Sequence, residues 1–138
     1  MQKIYRVLDA NFNRAREGLR VLEEAARFIL DDSVLTAELK DLRHMITGLA
    51  AALPGGAVEL TTARDSEGDV GAASWSEGER TRNSVFGLIQ ANFKRAQEAA
   101  RVLEEYGKLA GSGADNFKKV RYQLYVLEEE MIAKIQKI

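Results

Sequence analysis

An all-helical fold follows from three observations. Apolar residues recur at helical spacing through most of the chain, the breaks between these runs carry Asp, Ser, Gly or Pro, and one helical pattern occurs twice. The second copy is nearly literal, with eleven of sixteen positions identical between residues 10–25 and 91–106. Amphipathic packing preserves only residue class. Here Asn11/Asn92, Arg14/Arg95 and Glu17/Glu98 keep their polar identity, so the repeat carries chemistry as well as packing.

Four long helices are expected. The first runs from about Lys3 to Leu30, with Ile4, Val7, Leu8, Ala15, Leu22, Ala25 and Ile29 on one stripe. Asp31-Asp32-Ser33 ends it and caps the second, from about Val34 to Leu53, which repeats Leu35, Leu39, Leu42, Ile46 and Leu49 until Pro54-Gly55-Gly56. The third begins near Ser76, where Ser76 and Glu79 fit a capping box, and reaches about Ala110 before Gly111-Ser112-Gly113. The fourth follows Asp115 and carries Phe117, Val120, Leu124, Leu127, Met131 and Ile135.

Leu39-Lys-Asp-Leu-Arg43 pairs with Phe117-Lys-Lys-Val-Arg121, so each half reads as a helical hairpin. The expected architecture is a four-helix assembly of two duplicated hairpins with approximate internal twofold symmetry. It forms one domain over residues 1–138, with repeat 1 at about 3–53, one long loop at about 54–75 and repeat 2 at about 76–138. Residues 57–75 lack helical periodicity, and a connection of that length inside a compact domain is functional or disordered. Their apolar residues and Trp75 favour a functional segment.

Composition narrows the chemistry. A net charge of −1 lacks the basic excess of a nucleic-acid footprint, and the absence of cysteine removes thiol nucleophiles, Cys-ligated zinc and disulfides. The single histidine, His44, lies within a helical pattern and reads as a surface or packing residue. Met1 to Arg6 carries no apolar signal region, and no run reaches membrane-spanning length. A cytoplasmic protein bound to neither membrane nor nucleic acid is expected.

Helical geometry then locates the polar repeat residues. With Asn11 at zero, Gly18, Leu22, Ala25 and Ile29 fall within roughly 40° of it, so Asn11 sits in the apolar stripe. Arg14 lies about 60° aside, with Glu17 in reach of an i,i+3 pair. Asn92, Arg95 and Glu98 repeat this placement. Arg16, Arg20, Glu23, Glu24 and Arg27 point mostly away and read as solvated or interhelical ion-pairing residues.

Buried amide and guanidinium groups need partners. Either Asn11 and Arg14 bond their repeat mates or nearby carbonyls and fix register, or they line a polar cavity where amides read a heterocycle and arginines hold phosphates. Gly18 fits the cavity by leaving room. The segment Arg64-Asp-Ser-Glu-Gly-Asp-Val-Gly71 adds a cation, spaced carboxylates and two glycines. Asp65 and Asp69 suit magnesium, and Arg64 and Arg82 suit phosphoryl oxygens; a hydrophilic surface turn is the alternative.

These motifs together resemble one family. Asp9-Ala-Asn-Phe-Asn-Arg-Ala-Arg-Glu17, Arg64-Asp-Ser-Glu-Gly-Asp-Val-Gly71, Glu79-Arg-Thr-Arg-Asn-Ser84 and Ala91-Asn-Phe-Lys-Arg-Ala-Gln-Glu98 are similar to the all-helical, alternative hydroxymethylpyrimidine phosphate kinases. That domain is often fused ahead of thiamine phosphate synthase. The resemblance implies ATP- and magnesium-dependent phosphorylation of 4-amino-5-hydroxymethyl-2-methylpyrimidine phosphate to the diphosphate in thiamine biosynthesis.

Carried over by position, it implies catalytic roles for Arg64, Asp65, Asp69 and Arg82. Substrate contacts fall to Asn11, Arg14, Glu17, Gly71, Asn92, Arg95 and Glu98, and magnesium contacts to Asp65, Asp69 and Glu79. Ser66 and Ala72 stand where the family usually has threonine, so one hydroxyl is lost. A silent pyrimidine- or thiamine-phosphate-binding domain and a helical dimerisation module are the competing readings. Association with thiamine phosphate synthase and a homo-oligomer both stay open.

Overall fold

The computed structural model describes residues 1–74, 81–111 and 113–137. Every regular element among them is helical: α1 (Gln2–Phe28), α2 (Ser33–Ala51), α3 (Gly56–Ala63), α4 (Val85–Leu109) and α5 (Ala114–Ile135). No helix among the described residues is long and apolar enough to cross a membrane. The four long helices follow the predicted order, and α1 and α4 form the central pair, with α2 packed on α1 and α5 on α4.

Their ends obey local chemistry. Asp32 caps α2 by accepting from the Leu35 N–H at 2.9 Å, and Asp31 makes the preceding turn at φ 50°. Ser84 caps α4 through the Gly87 N–H at 2.9 Å. The predicted start near Ser76 is therefore corrected, because residues 81–84 are not helical and the cap lies at Ser84. Ser76 and Glu79 themselves lie outside the described residues, as does Trp75.

A second correction concerns the long connection. Residues 56–63 form α3, whose Leu60 and Ala63 are buried in the common core. Gly55 and Gly56 turn into this helix at φ 81° and 56°, which side chains disfavour. The Tyr5 hydroxyl donates to the Pro54 carbonyl at 2.9 Å and ties the turn to α1.

The core holds Leu8, Phe12, Leu19 and Leu22 from α1, with Leu35, Leu39 and Ile46 from α2. Ile89, Phe93 and Leu103 enter from α4, and Phe117, Leu124 and Met131 from α5. Each such side chain contributes about 1.5–3 kcal/mol on burial. Phe12 meets Phe117 edge-on at 5.7 Å, joining α1 to α5. Ile29 is corrected from stripe to surface: it is the C-cap of α1 and 46% exposed.

Gly18 also works differently from the cavity reading. A Cβ added there would lie 3.2 Å from the Asn92 carbonyl oxygen and 3.7 Å from the Ala96 Cβ. The missing side chain lets α4 approach, so the room is filled by helix backbone.

Each hairpin contains a buried ion pair at the same repeat positions. Glu23, 5% exposed, meets Arg43 at 3.1 Å and Arg20 at 3.2 Å. Glu104, 7% exposed, meets Arg121 at 2.9 Å and Arg101 at 3.2 Å. Glu23 is thus an interhelical partner inside the fold. Its charge is compensated by arginines from its own and the neighbouring helix, as a buried carboxylate requires.

Candidate functional site

Helix α3 delivers Arg64 as its extended C-cap residue, immediately after buried Ala63. The Arg64 Nε donates to Asp9 Oδ2 at 2.7 Å, and its Nη2 to Asp9 Oδ1 at 2.9 Å. This two-point pairing raises the Arg64 pKa above its ordinary value, the hydrogen bond being the larger cause and the charge of Asp9 the next. Arg6 reaches the Asp65 carbonyl at 3.4 Å, so α1 holds the segment at two points.

The following turn is shaped by its own carboxylates. Asp65 Oδ1 accepts from the Gly68 N–H and Asp69 Oδ1 from the Gly71 N–H, both at 2.9 Å. Each carboxylate keeps its second oxygen. Among the described residues no cluster of three or more His, Cys, Asp or Glu is arranged for a metal.

A cavity of about 620 Å³ lies between this turn and the start of α1. It brings together Arg64, Asp65 and Asp69 with Asn11 and Arg14, as the sequence suggested, and adds Lys3, Arg6, Asp9, Asn13 and Ser66. A second cavity of about 700 Å³ shares Asn11 and Arg14 and continues to Gly71, Ser74, Arg82, Arg95 and Glu98. The two cavities adjoin at Asn11 and Arg14, which line both, and together they are called the groove.

Glu17 and Asn92 line neither cavity. The Asn92 amide donates to the Leu88 carbonyl at 2.9 Å in its own helix. Asn11 is 4% exposed, donates to the Val7 carbonyl at 2.9 Å and accepts from Arg14 Nη1 at 3.5 Å. Both asparagines therefore spend part of their amide on backbone, and Asn11 also steadies Arg14. The inward placement of the repeat arginines is corrected, since Arg14 and Arg95 are both exposed. Among the described residues neither makes an ion pair, and none joins Arg14 to Glu17. Glu79 lies outside the described residues.

Asp9, Lys3 and Arg6 were missed as site residues. Asp9 immediately precedes the first copy of the repeat, and Gln90 precedes the second, so the repeat itself did not mark it. Lys3 and Arg6 stand one helical turn apart with nothing in their own stretch to mark them.

Fold and groove define a small helical domain with an arginine-rich cleft beside a carboxylate-bearing turn. The ThiD2 family profile matches residues 6–130, and the chain belongs to that family, a helical domain of thiamine-biosynthesis proteins.

Curated relatives include the thiamine-phosphate synthases of Thermosynechococcus vestitus, 44% identical over 131 residues, and of Synechocystis sp., 45% identical over 130 residues. Each alignment covers 94% of this chain and 36% of the relative. The thiamine-phosphate synthase of Rhodopirellula baltica is 45% identical over 134 residues, covering 96% of this chain and 35% of that protein. The chain thus spans about a third of the length of the curated relatives it matches. No solved structure matches it.

These relatives correct the functional expectation. They are named for the synthesis of thiamine phosphate and not as kinases, so phosphorylation of the pyrimidine phosphate does not stand as the function. Thiamine phosphate synthesis is what those longer relatives are named for.

Proposed function

We propose that the groove binds a phosphate-bearing compound of thiamine biosynthesis and that the chain serves thiamine phosphate synthesis as the unit that holds it. The observation that carries this reading is the state of Arg14 and Arg95. Buried carboxylates occupy Arg43, Arg64 and Arg121, whereas Arg14 and Arg95 line one cavity without an ion pair among the described residues. Exposed guanidinium groups without a carboxylate partner in a concave site suit a phosphate, which accepts two parallel N–H bonds from each.

A pyrimidine phosphate and thiamine phosphate are the ligands of this class. The phosphate would lie against Arg14 and Arg95, with the ring toward Ala99 and Val102, which line the same cavity. Magnesium fits the donor set: the second oxygens of Asp65 and Asp69 are hard ligands, and this ion is commonly held by two carboxylates with waters and phosphate oxygens. It would supply charge neutralisation at the bound phosphate. ATP belongs to the same proposal as a further phosphate-bearing ligand.

Calorimetric titration with hydroxymethylpyrimidine phosphate, thiamine phosphate and ATP, each with and without magnesium, tests the reading. Binding of at least one is expected, with competition by pyrophosphate. Arg14→Ala and Arg95→Ala should each weaken it by roughly 10- to 100-fold, as for a lost charge-assisted hydrogen bond. Absence of heat with every ligand, or full affinity in the double variant, overturns it.

A further inference from the structure

The groove contains a buried carboxylate where an anion site would ordinarily exclude one. Asp9 is 5% exposed, lines the cavity, and grips Arg64 by two hydrogen bonds. We propose that Asp9 is a positioning residue that aims Arg64 into the groove, so that anion affinity there is set through a carboxylate on α1. This rests on the phosphate-binding reading above and names what organises its loop-side end.

Donor geometry supports the assignment. A guanidinium carries five N–H donors in one plane. Asp9 takes one edge, through Nε and one Nη2 hydrogen, and leaves three donors. The Arg64 side chain remains 44% exposed and lines the cavity. An arginine that is free in solution gives up rotamer freedom when a ligand fixes it. Arg64 is already held, at its side chain by Asp9 and at the following residue by Arg6.

The repeat supplies the independent argument. The position matching Asp9 in α4 is Gln90, which is exposed. What differs between the halves is the 64–71 segment, whose sequence occurs once in the chain. Asp9 is the α1 residue that pairs with Arg64 at the start of that segment, and the second half carries no carboxylate at the matching position.

The experiment compares wild type with Asp9→Asn, Asp9→Gln, Arg64→Ala and the double variant Asp9→Asn/Arg64→Ala. Asp9→Gln installs the residue that α4 carries at the matching position, and serves if Asp9→Asn does not fold. Two readouts are taken: the arginine Nε–H resonance of Arg64, assigned by its loss in Arg64→Lys, and titration with inorganic pyrophosphate.

Wild type should show a resolved Arg64 signal that merges with the exchanging arginines in either Asp9 variant. Pyrophosphate affinity should fall roughly tenfold or more in the Asp9 variants, matching Arg64→Ala. The double variant should be no weaker than Arg64→Ala alone. Unchanged or tighter binding in both Asp9 variants, or an Asp9 effect that persists without Arg64, overturns the inference while the phosphate reading stands. A wild type that binds neither pyrophosphate nor the organic phosphates overturns both.

Discussion

Glu104 meets two arginines of unequal exposure, and the difference decides what each contributes. Arg121 is 16% exposed at its side chain and Arg101 54%. Replacing Arg121 by methionine leaves a buried carboxylate short of its main partner, at a cost of about 3–5 kcal/mol. Arg101→Met should cost less than about 1 kcal/mol, because that pair is exposed and solvent-screened. Urea midpoints of the two variants check this, and equal losses would refute it.

The same carboxylate predicts an acid response. The hydrogen bond from Arg121, with the charges of Arg121 and Arg101, holds Glu104 below its ordinary value of 4.5 despite burial. A depressed folded-state pKa stabilises the fold above the unfolded value and loses that contribution as pH falls through the folded one. Unfolding midpoints should therefore drop below about pH 4.5 and much less so in Glu104→Gln.

At the scale of elements, α3 matters most and was the least legible. Its eight residues are too few to show helical periodicity, and Gly55 and Gly56 at its start signal a loop. Thr61 and Thr62 disfavour helix, yet their hydroxyls bond back to the Ala57 and Val58 carbonyls at 2.8 and 2.7 Å. Burial of Leu60 and Ala63 against the core overrides weak propensity, information held by α1 and α2 and absent from the segment.

The late start of α4 has a similar cause. Ser76 and Glu79 match a capping pattern in sequence, whereas the cap used is Ser84. The long helices were legible because each carries several turns of one apolar stripe. Leu60→Ala should lower stability by about 2 kcal/mol, the lower end for a core truncation, since α3 is short. Hydrogen exchange should quicken in α3 and the 64–71 turn while α4 and α5 keep their protection. Uniform loss across all helices would contradict this.

At the scale of the whole molecule, the repeated polar residues announced a groove but not its asymmetry. Arg14, Arg95 and Asn11 were readable because identity persisted at positions where packing asks only for class. Asn92 and Glu17 were equally persistent in sequence and line neither cavity. The difference arises from the turn that approaches Asn11 and leaves Asn92 half-buried, a long-range event that no local pattern encodes.

The ion pairs also set an order of assembly. Arg43–Glu23 and Arg121–Glu104 join residues 20 and 17 apart in the chain, whereas Arg64–Asp9 joins residues 55 apart. Short loops close at lower entropic cost, so each hairpin can form before the seam and the groove. The Asp9–Arg64 clasp then belongs to the downhill side of the folding barrier. In stopped-flow chevrons, Asp9→Asn should speed unfolding with refolding nearly unchanged, whereas Arg121→Met should slow refolding. A ligand held by this groove would act as a brake on unfolding, lengthening the lifetime of the native state without hastening its formation.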